Sequence, residues 1–394
     1  MELSYARTQD RAAIVGIGST EFAKHLDQSE TVLALRAIKA ALDDAGISPA
    51  EVDGLSSYTL EKTEEIEIAR SLGLGDVTYF GQVGYGGGAG CAVVGQAAMA
   101  VATGQCDVAV AWRSRKRGAA ASRPWASTGT GTAGRVAGNP QWSRPFGLLR
   151  PVDEIAMLTR RYQHELGATR DHLANVALAF RRHANQNPAA MMHDRPLTRQ
   201  DYLAARWVSE PLCLFDNCLE SDGACAVVIT RADRAVDGPH PPARVHAWAQ
   251  SLPQQHQTMT NFFGDDPLQG PAWACASKLW SLADIGPSDV DVAQLYDAFS
   301  PLILLSLEGY GFCERGEAGP FTDDGGLEVG GSLPTNTSGG GMSEAYLHGF
   351  NLITEAVRQV RGTSTNQVAG TRWSLVTAGE GVPTSALLLR SESA

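Results

Sequence analysis

A chain of 394 residues with a formal net charge of −11 is too acidic for nucleic acid or an anionic membrane to be its default partner. It is long enough for two similar-sized units or one elaborated α/β domain, and its 43% apolar and 19% charged content is that of a globular protein. Seven cysteines, scattered through apolar runs with no Cys-x-x-Cys pair, suit reduced cytosolic thiols and argue against a disulfide framework or a structural zinc site.

The first residues have no signal-peptide layout, and no run of about 18 apolar residues is present. The expectation is a cytoplasmic protein without a membrane span. Residues 12–18 (AAIVGIG) read as a buried strand, and 31–45 as an amphipathic helix closed by Gly46. Strand 52–60 and a short helix 64–72 follow. Residues 84–112 then combine a glycine turn (Gly86, Gly87, Gly88), a small-residue helix over 89–103 and a buried strand over 106–112. A glycine turn before a helix presents unpaired N–H groups to whatever sits there. This βαβα alternation predicts a mostly parallel sheet covered by helices.

Residues 114–141 break the pattern and read as loop. The basic cluster RSRKR (113–117) is either a solvated or subunit-interface patch or a site for anionic phosphates such as those of a CoA tail. Helices are predicted over 151–166 and 169–182, a further turn over 199–205 and a strand over 225–230. Residues 232–242, rich in Pro, Gly and charge, are the linker candidate. A second series follows: strand 243–252, helix 271–283 with Trp273, Leu279 and Trp280 as core, strand 290–296 and helix 299–309. Gly339, Gly340 and Gly341 precede a helix over 347–361, and strands 373–378 and 384–390 close the chain. The device of a glycine turn before a helix therefore occurs twice, the mark of an internal duplication.

The stretch 84–112, with the phrases HANQNPAA, DYLAARWVSEPLCLFDNC and SDGA, resembles the thiolase superfamily over nearly the whole chain. The resemblance implies two duplicated βαβαβαββ halves in five αβαβα layers. It divides the chain into an N-terminal half (1–113 and 221–233), a loop-domain insert (114–220) and a C-terminal half (241–394). In that frame Gly90, Ala97, Gly104 and Asp107 match, but the nucleophilic cysteine's slot falls on Gly87. Cys91 lies one helical turn further on; it is either a small buried hydrophobe or, in a shifted register, the nucleophile of a thiolase or acyltransferase.

Two later thiolase signatures are altered. Tyr296-Asp297-Ala298-Phe299 stands where Asn-Glu-Ala-Phe or His-Asp-Cys-Phe is expected. Asn336, Gly339 and Gly340 match the start of Asn-x-x-Gly-Gly, but Ala345-Tyr346-Leu347 replaces Gly-His-Pro. Tyr346 thus takes the histidine's slot, with His348 two residues on. The late Cys-x-Gly is replaced by Thr377-Ala378-Gly379-Glu380-Gly381.

Without a thiolate at position 87 no acyl-enzyme can form there. Glycine-turn amides can still hold a thioester oxygen as it gains charge. Two phenols can move protons, with a reference pKa of about 10. Retro-aldol cleavage fits such a site.

The pattern Tyr-Asp-Ala-Phe with Gly-Gly-Gly-Met-Ser-Glu-Ala-Tyr further resembles the thiolase-like lipid-transfer proteins of bacterial sterol catabolism, which are steroid side-chain aldolases. That resemblance implies cleavage of a 17-hydroxy C22 steroid acyl-CoA to a 17-ketosteroid and propionyl-CoA. It implies no cofactor beyond the coenzyme A carried by the substrate. It also implies a homodimer flanked by two OB-fold partner chains, a heterotetramer. Tyr296 and Tyr346 are the expected acid/base pair, with either taking the hydroxyl proton. Asp297, His348, Gly87 and Gly340 are candidate supporting residues, and Glu344 and Glu380 are helix-start and turn residues or cleft acids. Phe262, Phe263 and Trp273 are tunnel lining or core. Two other readings stay open: a non-catalytic acyl-CoA or lipid-binding subunit, and a thiolase or acyltransferase using Cys91.

Overall fold

The structure is a computed structural model that describes residues 8–84, 86–117, 140–254, 260, 262, 264–380 and 384–392. The elements of its first half are β1 (Ala12–Ser19), α1 (Glu30–Ala45), β2 (Gly54–Tyr58), α2 (Glu65–Leu72), β3 (Tyr79–Val83), α3 (Gly90–Ala102) and β4 (Val108–Arg115). An insert follows, with α4 (Pro140–Ser143), α5 (Pro151–Leu166), α6 (Arg170–Gln186), α7 (Arg199–Ala204), β5 (Trp207–Ser209) and β6 (Leu212–Cys213). The chain then returns through β7 (Gly223–Arg231) and α8 (Ala232–Ala235). The second half holds β8 (Ala243–Ser251), α9 (Pro271–Ala283), β9 (Val292–Gln294), α10 (Ser300–Gly309), α11 (Ala318–Phe321), α12 (Gly340–Ser343), α13 (Phe350–Arg361), β10 (Trp373–Ala378) and β11 (Thr384–Arg390).

Among the described residues one nine-stranded sheet runs β3-β2-β4-β7-β1-β8-β11-β10-β9. Each half uses the same order. Outward from β1 lie β7, β4, β2 and β3; outward from β8 lie β11, β10 and β9, with a fifth strand reduced to the bridge Ala293↔Thr335. The halves meet through Ala13↔Arg244 and Ile14↔Ala243.

The predicted mostly parallel sheet is not what forms. Only β2 with β3, β2 with β4, and β9 with β10 are parallel; β1 with β7, β4 with β7, β1 with β8, β8 with β11, and β10 with β11 are antiparallel. The parallel neighbours are those joined by a covering helix. A strand that returns without a covering crossover, as β11 does after β10, runs antiparallel.

The layers are set by which faces are apolar. α1 buries Leu33, Ala34, Ala37, Ile38, Ala41 and Leu42 on the outer face of β1, β4 and β7, and α9 covers β8 and β11. Between the half-sheets lie α3 and α13, whose residues share one cluster with strands of both halves. α3 has no side-chain cap at Ala89. A missing cap costs about 1 kcal/mol, whereas each of the buried Val93, Val94 and Val101 gains about 1.5–3 kcal/mol. Packing, not capping, therefore keeps α3 central. Its start and the glycine turn before α13 meet at one end of the middle layer, beneath the insert. The insert is tied to the second half by Tyr162 donating to Glu308 and by Tyr202 and Ser300 both donating to Asp216.

Candidate active site

Beyond β9 the chain turns through Tyr296 and Asp297 into the base of a cleft. Asn336 clamps this turn, accepting from Leu295 N–H at 2.7 Å and donating to the Leu295 carbonyl at 2.8 Å. The Tyr296 N–H donates to Thr377 Oγ1 at 2.9 Å. Asp297 faces away from the tyrosine: its carboxylate accepts from Gly341 N–H at 2.8 Å and Met342 N–H at 3.0 Å. Burial pushes the Asp297 carboxyl up to about 6, against these backbone hydrogen bonds. Gly340 has φ +61, and a Cβ there would lie 2.3 Å from Asp297 Oδ2. Gly340 and Asp297 are thus two parts of one buried turn, behind the two tyrosines.

That turn delivers Tyr346, whose N–H donates to Ser221 Oγ at 2.9 Å. Glu344 supports it from behind, accepting from Ser338 Oγ at 2.7 Å and Asn351 Nδ2 at 2.9 Å, with its carboxyl pushed up by burial to about 7. The hydroxyls of Tyr296 and Tyr346 are hydrogen-bonded to each other. Burial pushes both phenols above their ordinary range; their shared hydrogen bond raises Tyr296 further and lowers Tyr346.

Gly87 closes the arrangement. A Cβ at Gly87 would lie 1.8 Å from Tyr296 Oη. The phenol of the second half occupies the volume that a side chain at position 87 would need. The sequence frame marks a missing cysteine there; the structure shows what fills the space.

His348 has φ +52 and sits edge-on to the Tyr346 ring, 5.4 Å between centroids. Arg113 Nη2 lies 3.1 Å from His348 Nδ1 and Arg117 Nη2 2.8 Å from Nε2. Burial first, and then Arg113, Arg117 and Arg115, hold the imidazole well below its ordinary pKa, so it is neutral. Arg113 pairs with Glu61 at 3.1 Å, and Glu61 also accepts from the Ser114 backbone N–H at 2.8 Å. The reading of the basic cluster as a solvated patch does not describe Arg113 and Arg117. Arg113 is fully buried and Arg117 nearly so, and both point at His348. The overlooked signal is period two: residues 113, 115 and 117 continue the strand face of Ala109 and Ala111, which looks into the middle layer.

The cleft has a volume of about 1680 Å³, beyond the roughly 300–1,000 Å³ of ordinary small-molecule pockets. Gly87, Arg117, Cys218, Tyr296, Tyr346, His348 and Glu380 lie in its wall, with Phe262, Trp142, Phe146 and Met342 among its apolar lining. Glu380 accepts from Ala272 N–H at 2.9 Å, the start of α9, and burial pushes its carboxyl up to about 8. Trp273 packs instead against Gly309 and the core, and Phe263, Gly381 and most of the 114–141 loop lie outside the described residues.

Cys91 does not reach the cleft wall. It is fully buried in α3 with Sγ 3.5 Å from the Val376 carbonyl, and burial raises its thiol well above the ordinary range. It has the surroundings of a small apolar residue, not of a nucleophile. Among the described residues no group of His, Cys, Asp and Glu could hold a metal, and no helix is long and apolar enough to cross a membrane.

Two family models match: the thiolase N-terminal domain over residues 12–198 and the thiolase C-terminal domain-like family over 254–389. The steroid side-chain-cleaving aldolase of Thermomonospora curvata is 46% identical over 388 residues, 97% of this chain and 98% of that protein. The 17-hydroxy-3-oxo-4-pregnene-20-carboxyl-CoA lyase of Mycobacterium tuberculosis is 46% identical over 381 residues, 96% of this chain and 99% of that protein. The solved Ltp2-ChsH2(DUF35) aldolase superposes with a TM-score of 0.92 at 44% identity, covering 99% of this chain and 100% of that one.

Proposed function

This chain belongs to the thiolase family, and from that premise we infer that it is a carbon–carbon lyase cleaving a β-hydroxyacyl-CoA by a retro-aldol reaction in bacterial steroid degradation. The substrate is a 17-hydroxy C22 steroid side-chain thioester, and the products are a 17-ketosteroid and propionyl-CoA. The observation that carries this reading is the hydroxyl of Tyr296 in the space at Gly87, hydrogen-bonded to Tyr346. A thiolase needs a thiolate in that space. A retro-aldolase needs proton-transfer groups and a holder for the enolate.

In this reading one tyrosine takes the proton of the β-hydroxyl as the Cα–Cβ bond breaks. The electron pair moves into the thioester, and N–H groups of the glycine turn before α3 hold the oxygen as it gains charge. The proton taken from the β-hydroxyl is then returned through the hydrogen-bonded phenols to the enolate carbon, so the tyrosines are restored and the substrate divides into its two products with no external oxidant or reductant. Acid–base work of this kind contributes on the order of 10²–10⁴-fold. Coenzyme A enters as part of the substrate, and no separate cofactor is invoked.

The working assembly of this proposal is cytoplasmic. It is a homodimer bound to two OB-fold partner chains; of this, the name of the matching structure supports only a partner of the DUF35 kind. β3 offers an edge for self-association: it ends the sheet, and Phe80 on it is 72% exposed. A subunit that only bound acyl-CoA would give the paired phenols no task.

Purified chain, with and without its partner, incubated with the steroid β-hydroxyacyl-CoA and followed by chromatography, tests the reading. Release of ketone and propionyl-CoA that is lost in Tyr346→Phe is the expected result. Tight binding of the thioester with no cleavage in the presence of the partner would overturn it.

A further inference from the structure

Three arginines stand on one strand face at the end of β4, and they are not equivalent. Arg113 is committed: Nη1 pairs with Glu61, and its guanidinium stacks 5.0 Å from the Tyr58 ring centroid. Arg115, its pKa lowered by burial to about 10, faces Glu30. Arg117 lines the cleft, and among the described residues no carboxylate pairs with its guanidinium. Its Nη2 meets His348 Nε2 and the guanidinium carbon lies 5.1 Å from the Tyr346 ring centroid; its buried Nε, like those of Arg113 and Arg115, has no hydrogen-bond partner among the described residues.

His348 makes this arrangement unequal. A neutral imidazole accepts at one ring nitrogen and donates at the other. Two guanidinium groups, each able only to donate, face its two nitrogens. One of them is therefore left without this acceptor. Arg113 keeps Glu61 in either tautomer; Arg117 keeps nothing of the kind. The donor left over is Arg117, and the group beside it that can become an anion is Tyr346.

We propose that Arg117 is a positioning residue that makes Tyr346, rather than Tyr296, the member of the pair that ionises and takes the proton of the substrate hydroxyl. This rests on the reading that the two tyrosines move protons. The Tyr346 phenol loses its proton to solvent before substrate binds, the phenolate accepts from the Tyr296 hydroxyl, and the Arg117 guanidinium balances the charge. The same phenolate then receives the substrate's proton and is restored as that proton passes on to the enolate carbon. Arg117 lowers the Tyr296 phenol as well, but among the described residues no cation is stacked on that ring, which has Gly87, Gly349 and Tyr346 around it. The other titratable and charged groups facing Tyr346 are Arg115 from β4, Cys218 from the segment after the insert, Tyr58 from β2, Tyr296, and His348 on its own segment. Asp297 lies close by, but its carboxylate is taken by Gly341 and Met342.

The test is a phenolate absorbance titration of the full chain in complex with its partner, run beside a pH profile of kcat/KM. Wild type is compared with Arg117→Met, Arg117→Lys, Tyr346→Phe and Tyr296→Phe. An opposite charge at this range shifts a pKa by about 1–3 units. The Tyr346 phenolate signal, taken as the difference between a protein and its Tyr346→Phe counterpart, is expected to move up by about 1–3 pH units in the Arg117→Met background. The acid limb of kcat/KM should move with it, and Arg117→Lys should keep most of the shift. If Arg117→Met does not fold, Arg117→Lys still decides: a titration held within about one unit of wild type supports the charge role. A Tyr296 difference signal that titrates below that of Tyr346, or a Tyr346 difference signal that does not move in Arg117→Met, overturns the proposal. The absorbance needs no turnover, so a wild-type complex that fails to cleave the steroid thioester would sink the functional reading and leave this one judged separately.

Discussion

The two glycine turns that open the central helices have the same origin in sequence and opposite tasks in space. The turn before α3 gives up a side chain: Gly87 leaves room for a phenol that arrives from the other half. The turn before α13 keeps one: Gly340 leaves room for the buried Asp297 carboxylate, which fixes the turn so that Tyr346 is presented to the cleft. One half thus supplies space and positive charge, through Gly87, Arg113 and Arg117. The other supplies both phenols. On the proposed function, a duplicated fold lets a site change chemistry by moving the reactive group from one copy to the other while both backbones stay put.

The largest expected effect comes from refilling the vacated turn. Gly87→Ala or Gly87→Cys places a Cβ against Tyr296 Oη and forces the phenol pair apart. Cleavage should fall by about 10²–10⁴-fold, the size of the acid–base contribution, with about 1–3 kcal/mol lost to overpacking. Steady-state kinetics and chemical denaturation measure the two separately. Wild-type turnover by Gly87→Ala would show that the space is not what the site requires.

The second turn is broken more gently. Gly340→Ala combines a positive φ with a clash against Asp297, a strain of about 1–3 kcal/mol. Urea unfolding should register that loss. Activity should drop about tenfold, on the scale of about 1.4 kcal/mol lost at the transition state, as Tyr346 loses its fixed approach.

The halves should also differ in pH response. Asp297, Glu344 and Glu380 all belong to the second half and are raised by burial to about 6, 7 and 8. Their folded values lie above their unfolded ones, so between these limits the native state holds protons that the unfolded chain has released. Stability must therefore fall as pH rises, from the unfolded carboxylate range near 4 up to about 8. Thermal melts across that window should show the decline, and Glu380→Gln should flatten its upper part. A melting temperature that climbs from pH 5 to 8 would contradict the assignment.

The smallest effect is expected at Cys91. Cys91→Ala removes a buried thiol that lines no part of the cleft, at a cost of about 1 kcal/mol. It should leave kcat/KM unchanged. A Cys91→Ala enzyme without activity would revive the thiolase reading.

Much of the fold was legible because it is local. The α1 stripe with Ser29 and Gly46, the small-residue α3, and helices 151–166 and 271–283 follow from periodicity and punctuation. β3 was missed because it is a half-exposed edge strand with no apolar run. Strand direction was misjudged because alternation of types says nothing about a strand that returns after a hairpin or a long insert. At the site, Tyr296 and Tyr346 stood out because motif slots are fixed by sequence count. The reason for Gly87, the commitment of Asp297 to a turn, and the burial of Arg113 and Arg117 depend on contacts between residues far apart in the chain. No local pattern carries those.

The most direct test of the central claim is a double-mutant comparison of kcat/KM for Tyr296→Phe, Tyr346→Phe and the double variant on the steroid β-hydroxyacyl-CoA. A hydroxyl pair that works as one unit predicts strong non-additivity: each single variant loses nearly all of the acid–base contribution, and the double loses little more. Losses that simply multiply, or a single variant that turns over as wild type, would contradict it.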